Sequence, residues 1–197
     1  MKAAVVTSFD TPPRYEDVDT PTPSGPADLV VDVVAAGLHP RVRSQADGSH
    51  YSSTDGLPVI PGIDGVGRGP DGRVRYFVLP DTTRGSMAER TVVDEQRSIL
   101  LPDEADVVAL AAAMNPAMSS WVALRRRLEF RTGQRVLVLG ATGNAGRLAV
   151  QVARHLGATA VVAVGRDRRR LASLGAVGAT ATVAVDADPD TVAEQLA

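Results

Sequence analysis

The stretch Arg135-Val-Leu-Val-Leu-Gly-Ala-Thr-Gly-Asn-Ala-Gly-Arg-Leu-Ala-Val-Gln-Val-Ala-Arg-His-Leu-Gly157 decides the fold. Its apolar run, Val136 to Leu139, has no polar break, which predicts a strand buried on both faces. Gly140, Gly143 and Gly146 follow as a glycine-rich turn. Leu148, Val152 and Leu156 then recur at helical spacing, with Ala149 and Ala153 beside them. Gly157 stands where a helix takes its C′ residue. Strand, glycine turn and helix in this order open a dinucleotide-binding βαβ unit.

Each small residue in the turn has a physical task. Gly143 lets the backbone approach a pyrophosphate, and Gly146 lets the helix pack closely on the strand. The N–H groups at the helix start and the helix dipole then face the phosphates. The usual first glycine of G-x-G-x-x-G is Ala141 here, so the motif reads A-x-G-x-x-G. Its place after an apolar strand and before a helix is what gives it weight. The candidate cofactor-binding turn is therefore Ala141, Thr142, Gly143, Asn144, Ala145 and Gly146.

Towards the C-terminus the pattern continues as strand Ala160 to Val164, helix Arg168 to Leu174, strand Thr180 to Val185 and a helix start over Pro189 to Leu196. This is β-α-β-α-β-α, half of a doubly wound dinucleotide fold. A fourth strand is expected near Ala197, so the chain reads like a protein cut in mid-domain.

Towards the N-terminus the period is helical from Asp106. Val107, Leu110, Ala111 and Met114 share a face, Pro116 allows a restart, and Trp121, Leu124 and Leu128 continue the pattern. Residues 1–105 read as β-rich, with strands at Ala3 to Thr7, Arg14 to Val18, Leu29 to Ala36, Val74 to Leu79 and Met87 to Val93. Arg41 to Ala46 reads as a short helical turn. Pro58 to Gly69, rich in Gly and Pro, suits a curved wall. Short strands with this punctuation predict a small, partly open β-barrel.

The whole chain has 197 residues and a formal charge of −2. That charge and the few aromatics disfavour nucleic acid and an anionic membrane as partners. The absence of cysteine removes disulfides, thiolate zinc sites and cysteine nucleophiles. Met1-Lys-Ala-Ala-Val-Val is too soon polar for a signal peptide, and no run is read as reaching membrane-spanning length. A cytoplasmic location is the default expectation.

Four stretches in this order resemble the medium-chain dehydrogenase/reductase superfamily, in particular its zinc-free quinone oxidoreductase branch. They are Pro61-Gly-Ile-Asp-Gly-Val-Gly67, Gly85-Ser-Met-Ala-Glu-Arg90, the Asn115 to Leu124 helix and Leu139 to Gly157. The resemblance covers nearly all of the chain, but about the first two-thirds of a typical member. It implies an α/β plus β chain: a GroES-like β-barrel catalytic domain over residues 1–105, then the first half of a Rossmann doubly wound parallel sheet, a partial NADPH-binding domain, over residues 106–197. It also implies a homodimer for a full-length form.

The departures carry chemistry. Zinc members place a cysteine ligand where His39 stands and a histidine ligand where Ile63 stands, just before Asp64. Without those two ligands the three-ligand catalytic zinc site of that pattern is not assembled. His39 is read as structural or cleft-lining. The resemblance then implies hydride transfer from NADPH to an already electrophilic acceptor, a quinone or an α,β-unsaturated carbonyl. Tyr51 resembles the cleft tyrosine of quinone reductases, where it would donate a hydrogen bond to the acceptor oxygen; a loop tyrosine half packed on the barrel is the other reading. Asn115 either caps a helix or reaches the cofactor. Arg125, Arg126 and Arg127 read as a solvated face.

The coenzyme preference is legible at the end of the strand after the glycine helix. NAD enzymes place an acidic residue there for the ribose hydroxyls. Here the strand ends in Gly165-Arg166. Gly165 leaves room for a 2′-phosphate and Arg166 offers a planar fork to its oxygens, which predicts NADPH. Asp167, swung inward, is the contrary sign. Two further functions stay open: an enoyl-thioester reductase, and an NADPH-binding protein without turnover.

Overall fold

The structure is a computed structural model; it describes residues 1–50, 56–80 and 83–185. The chain divides into two units, Met1–Ala112 and Ala113–Ala197.

In the first unit, β1 (Lys2–Val5) pairs antiparallel with β2 (Arg14–Asp17). A five-stranded antiparallel sheet contains β3 (Asp28–Ala36), β4 (Asp64–Arg68), β5 (Val74–Val78), β6 (Arg90–Asp94) and β7 (Ser98–Leu100), in the order β6-β3-β4-β5-β7. A register shift between Val33 and Ala35 puts a bulge into the β3–β4 pair and bends it. Single bridges, Ala3 to Ala88 and Val6 to Val59, tie the first strand to the segments beside the sheet, so the sheet curls. Val31, Phe77, Leu79 and Val93 form one buried cluster and Ala3, Val5 and Ile60 another.

Two local readings change here. Met87 O accepts from Ala4 N–H and Glu89 N–H donates to Lys2 O, while Glu89 O accepts the last ladder bond from Val33, so strand β6 itself starts at Arg90. β7 has no counterpart in the sequence reading, because three residues carry no measurable alternation. Between β3 and β4 lies α1 (Pro40–Ala46), with Pro40 in the first turn, where its missing N–H costs nothing.

Helix α2 (Val107–Val122) continues past Pro116 and widens into a π-helical turn over Ala123–Arg127. Pro116 therefore marks no restart. The resulting helix, Val107–Arg127, is long and apolar enough to cross a membrane by length and composition, which corrects the sequence reading. A single helix of this kind, also common in protein cores, does not by itself place a chain in a membrane.

In the second unit, β8 (Arg135–Leu139), β9 (Ala160–Gly165) and β10 (Ala181–Ala184) form a parallel sheet in the order β10-β9-β8. Helix α3 (Asn144–His155) follows β8 and α4 (Arg168–Ala172) follows β9. Val138, Val161 and Ala163 on the sheet pack with Val150, Ala153, Leu171 and Leu174 from these helices and the turn after them. The buried side of α3 turns on Val150 and Ala153, with Ala149, Val152 and Leu156 at its edge; Leu148 is not in this cluster.

Strand β8 corrects the expectation of burial on both faces. Val138 is buried, but Leu137 is 51% and Leu139 72% exposed. As the edge strand of this sheet it is packed on the face that carries α3 and open on the other. The segment Pro189 to Leu196 lies outside the described residues.

Candidate functional site

The glycine turn sits between β8 and α3, as its sequence implies. Gly140 adopts φ +71°, a left-handed conformation suited to glycine. A Cβ on Gly146 would overlap Gly140 O and lie 2.7 Å from Ala141 Cα, so only glycine lets α3 lie this close to the turn. Ala141 is fully buried and its N–H donates to Val164 O at 2.9 Å, which fastens the turn to the end of β9. Gly143 is the N-cap of α3 and supplies no side-chain cap. The N–H groups of the first helical turn have no intrahelical acceptor and point to where an anion would sit. Gly143 itself is not sterically forced: a Cβ there would rest 3.6 Å from Gly140 O, an ordinary contact.

At the end of β9 the structure adds a reason for Gly165. A Cβ there would lie 2.8 Å from Thr142 Cγ2, so the glycine lets strand β9 and the turn pack together. Arg166 is exposed beside it. Asp167 is occupied as the N-cap of α4: its carboxylate accepts from Arg170 N–H at 3.0 Å and lies 3.3 Å from Arg170 Nε. These residues fit a dinucleotide in their chemistry: the turn presents backbone without bulk and the end of β9 leaves Arg166 exposed.

A second cluster lies in the first unit. Asp64 on β4 is fully buried. His39 Nε2 lies 2.8 Å from its Oδ1, and Tyr76 O–H donates to its Oδ2 at 2.7 Å. The β4–β5 register pairs Val66 with Tyr76, so Tyr76 stands diagonally across from Asp64 on one face, within reach of a long side chain. His39 is the N-cap of α1 with an extended backbone, which turns its ring towards β4. The N–H of Gly37 and the hydroxyl of Ser86 both donate to Asp64 O. A Cβ on Gly37 would lie 2.5 Å from both Asp64 Oδ1 and His39 Nε2, so its bare backbone covers the His–Asp bond. Burial, and then the Asp64 carboxylate, hold the Tyr76 phenol far above the ordinary tyrosine range, so it stays a donor.

His39 is thus buried and hydrogen-bonded rather than loose in a cleft. The sequence singles out His39 and Asp64 by position but carries no sign of Tyr76, whose part depends on strand register. No group of three His, Asp or Glu side chains able to hold a metal occurs among the described residues. Tyr51 lies outside the described residues. Asn115 lies inside α2 and caps nothing, because the helix does not restart at Pro116. Arg125, Arg126 and Arg127 are exposed.

No family model matches the chain. It is 36% identical over 205 residues to a protein of Emericella nidulans named probable NADPH-dependent quinone reductase, an alignment covering 88% of this chain and 58% of that one. It is 27% identical over 150 residues to a trans-enoyl reductase of Aspergillus terreus, covering 68% of this chain and 42% of the relative. Among solved structures it resembles the quinone oxidoreductase of Thermus thermophilus, described alone and with NADPH: TM-score 0.82, 31% identity, 92% of this chain and 59% of that one. The chain thus spans about half of the curated relatives' length.

Proposed function

We propose that the chain belongs to the quinone oxidoreductase branch of the medium-chain dehydrogenase/reductase superfamily, and that it uses NADPH to reduce a quinone or an α,β-unsaturated carbonyl, without zinc. The observation that carries the reading is the close approach at Gly146, which leaves an uncapped helix start behind an apolar strand. Ala141, Thr142, Gly143, Asn144, Ala145 and Gly146 would hold the pyrophosphate, and Gly165 and Arg166 the phosphorylated ribose. When bound, the nicotinamide supplies the hydride. The engagement of Asp167 as a helix cap supports NADPH over NADH. Tyr51 remains the proposed hydrogen-bond donor to the acceptor. In this reading residues 1–105 form a GroES-like catalytic barrel and residues 106–197 the cofactor half. A cytoplasmic location and a homodimer of a longer form complete it.

Replacing Arg166 with Ala tests the coenzyme site. NADPH binding is expected to weaken by about 1.5–3 kcal/mol, the range for a hydrogen bond to a charged group, with NADH nearly unchanged. Calorimetric titration of both coenzymes decides it, and equal losses would remove the phosphate contact. The likeness to a trans-enoyl reductase favours a second reading, reduction of an enoyl thioester. Turnover of a quinone beside that of an enoyl thioester separates the two, and tight NADPH binding with neither oxidised would leave a binding protein.

A further inference from the structure

A pocket of about 490 Å³ in the first unit is lined by Leu38, Val42, Pro61 and Met87, with His39 and Arg43 as its titratable members. That volume lies in the range of small-molecule sites. Its walls are mainly apolar, and Leu38, 75% exposed, stands at the rim. His39 reaches this pocket with one ring nitrogen committed elsewhere. Nε2 is held by Asp64, itself held by Tyr76 from the other side. Nδ1 has no hydrogen-bond partner among the described residues. An imidazole whose Nε2–H is given to a carboxylate has Nδ1 left to act, as a donor when protonated and an acceptor when neutral.

We propose that this pocket is the acceptor subsite for a planar conjugated carbonyl, and that His39 Nδ1 is the proton donor to its oxygen. The proposal rests on the quinone or enone reading above. Hydride addition at the β-carbon of an enone moves the C=C pair towards the carbonyl oxygen. That oxygen takes the proton from Nδ1; the N–H bond breaks, its electron pair stays on the imidazole, and water returns a proton to the ring. A quinone is reduced in the same balance: the hydride brings both electrons, and Nδ1 supplies the one proton that completes the hydroquinone. Asp64 and Tyr76 are positioning residues: they fix the tautomer and the plane of the ring. Arg43 is the other charged side chain lining the pocket and favours the developing negative oxygen.

The test uses His39→Gln, because a glutamine amide reaches as far as Nε2 and keeps the bond to Asp64 while removing Nδ1. The ¹⁵N-labelled chain is titrated with 2-methyl-1,4-naphthoquinone without coenzyme; the chain has no cysteine to form adducts with this probe. The chain has three histidines, so His39 is assigned by its loss in the variant. Saturable movement of the His39 Nδ1 resonance, with Nε2 little changed, is expected. The variant should bind the quinone about tenfold more weakly, which is about 1.4 kcal/mol. In NADPH oxidation the variant should be slower than the wild type. An unmoved Nδ1, or equal quinone binding in the variant, overturns the proposal. If Nδ1 moves but no NADPH is oxidised, the enzymatic reading fails and the subsite stands. If the variant does not fold, His39 is assigned by elimination with His50→Gln and His155→Gln, and the wild-type Nδ1 response decides.

Discussion

The glycine turn of the second unit and the His39–Asp64–Tyr76 cluster of the first are both built around glycines, and for opposite reasons. In the turn, Gly146 is bare so that backbone can touch backbone and leave polar N–H groups facing outward. In the cluster, Gly37 is bare so that backbone can close over a hydrogen bond and keep it from water. The turn is also contiguous: Gly143 N–H bonds Gly140 O and Arg147 N–H bonds Gly143 O, and Ala141 N–H fastens it to Val164. The cluster is dispersed over three elements and exists only while β4, β5 and the start of α1 are in register. A local device of the first kind tolerates loose surroundings. A network of the second kind fixes a unique arrangement, because each buried member is costly without its partner.

The largest effect should come from removing the centre of the network. Asp64→Ala takes the acceptor from two buried donors and is expected to cost about 2–5 kcal/mol, measured by urea unfolding of the first unit's signal. Tyr76→Phe keeps the ring and removes one donor from a buried carboxylate, for about 1.5–3 kcal/mol. It also carries a pH signature. The phenol is raised in the folded state, so its share of stability is full below the ordinary tyrosine value, roughly pH 10, and is lost as pH rises beyond it. Melts at pH 8 and pH 11 should therefore show a steeper alkaline loss in the wild type than in Tyr76→Phe.

The turn should answer differently. Gly146→Ala forces a Cβ into backbone and is expected to cost about 1–3 kcal/mol, as overpacking does, with NADPH binding lost alongside. Gly143→Ala is the smallest change: stability within about 0.5 kcal/mol of the wild type, because its Cβ has room. NADPH affinity should nevertheless fall, since the methyl stands where the pyrophosphate would approach. If Gly143→Ala lowers stability as much as Gly146→Ala, the contrast between a steric and a ligand-facing glycine is wrong.

Legibility follows the same division. Gly157 is expected at C′ and takes φ +92° just beyond the C-cap of α3, because the helix end itself calls for that conformation; its packing against Thr132 is not legible. Gly165 reads in the sequence as space for a phosphate, while the structure also makes it the seat of Thr142; a contact across the sheet leaves no trace in the local pattern. Asp167 reads as a candidate ribose ligand and is a helix cap. Asp followed by a helix is a local signal, and it is there in the sequence. Pro116 reads as a break from its lack of an N–H, yet the helix continues through it.

The sequence by itself determined the strand–turn–helix of Val136 to Gly157, the parallel order of the strands that follow and the β-rich character of the first hundred residues. These depend on periods of two and 3.6 residues and on glycines acting on near neighbours, all of which are written along the chain. Only the tertiary structure decided that Leu137 and Leu139 face outward while Val138 is buried, since a valine–leucine run is the same sequence on a covered face or an open one. It alone brought Tyr76 to Asp64 and turned His39 onto the same carboxylate. Side chains 12 and 25 positions apart meet there, Tyr76 through the β4–β5 register and His39 through the start of α1. That register is set by the packing of whole faces, and no local pattern encodes it.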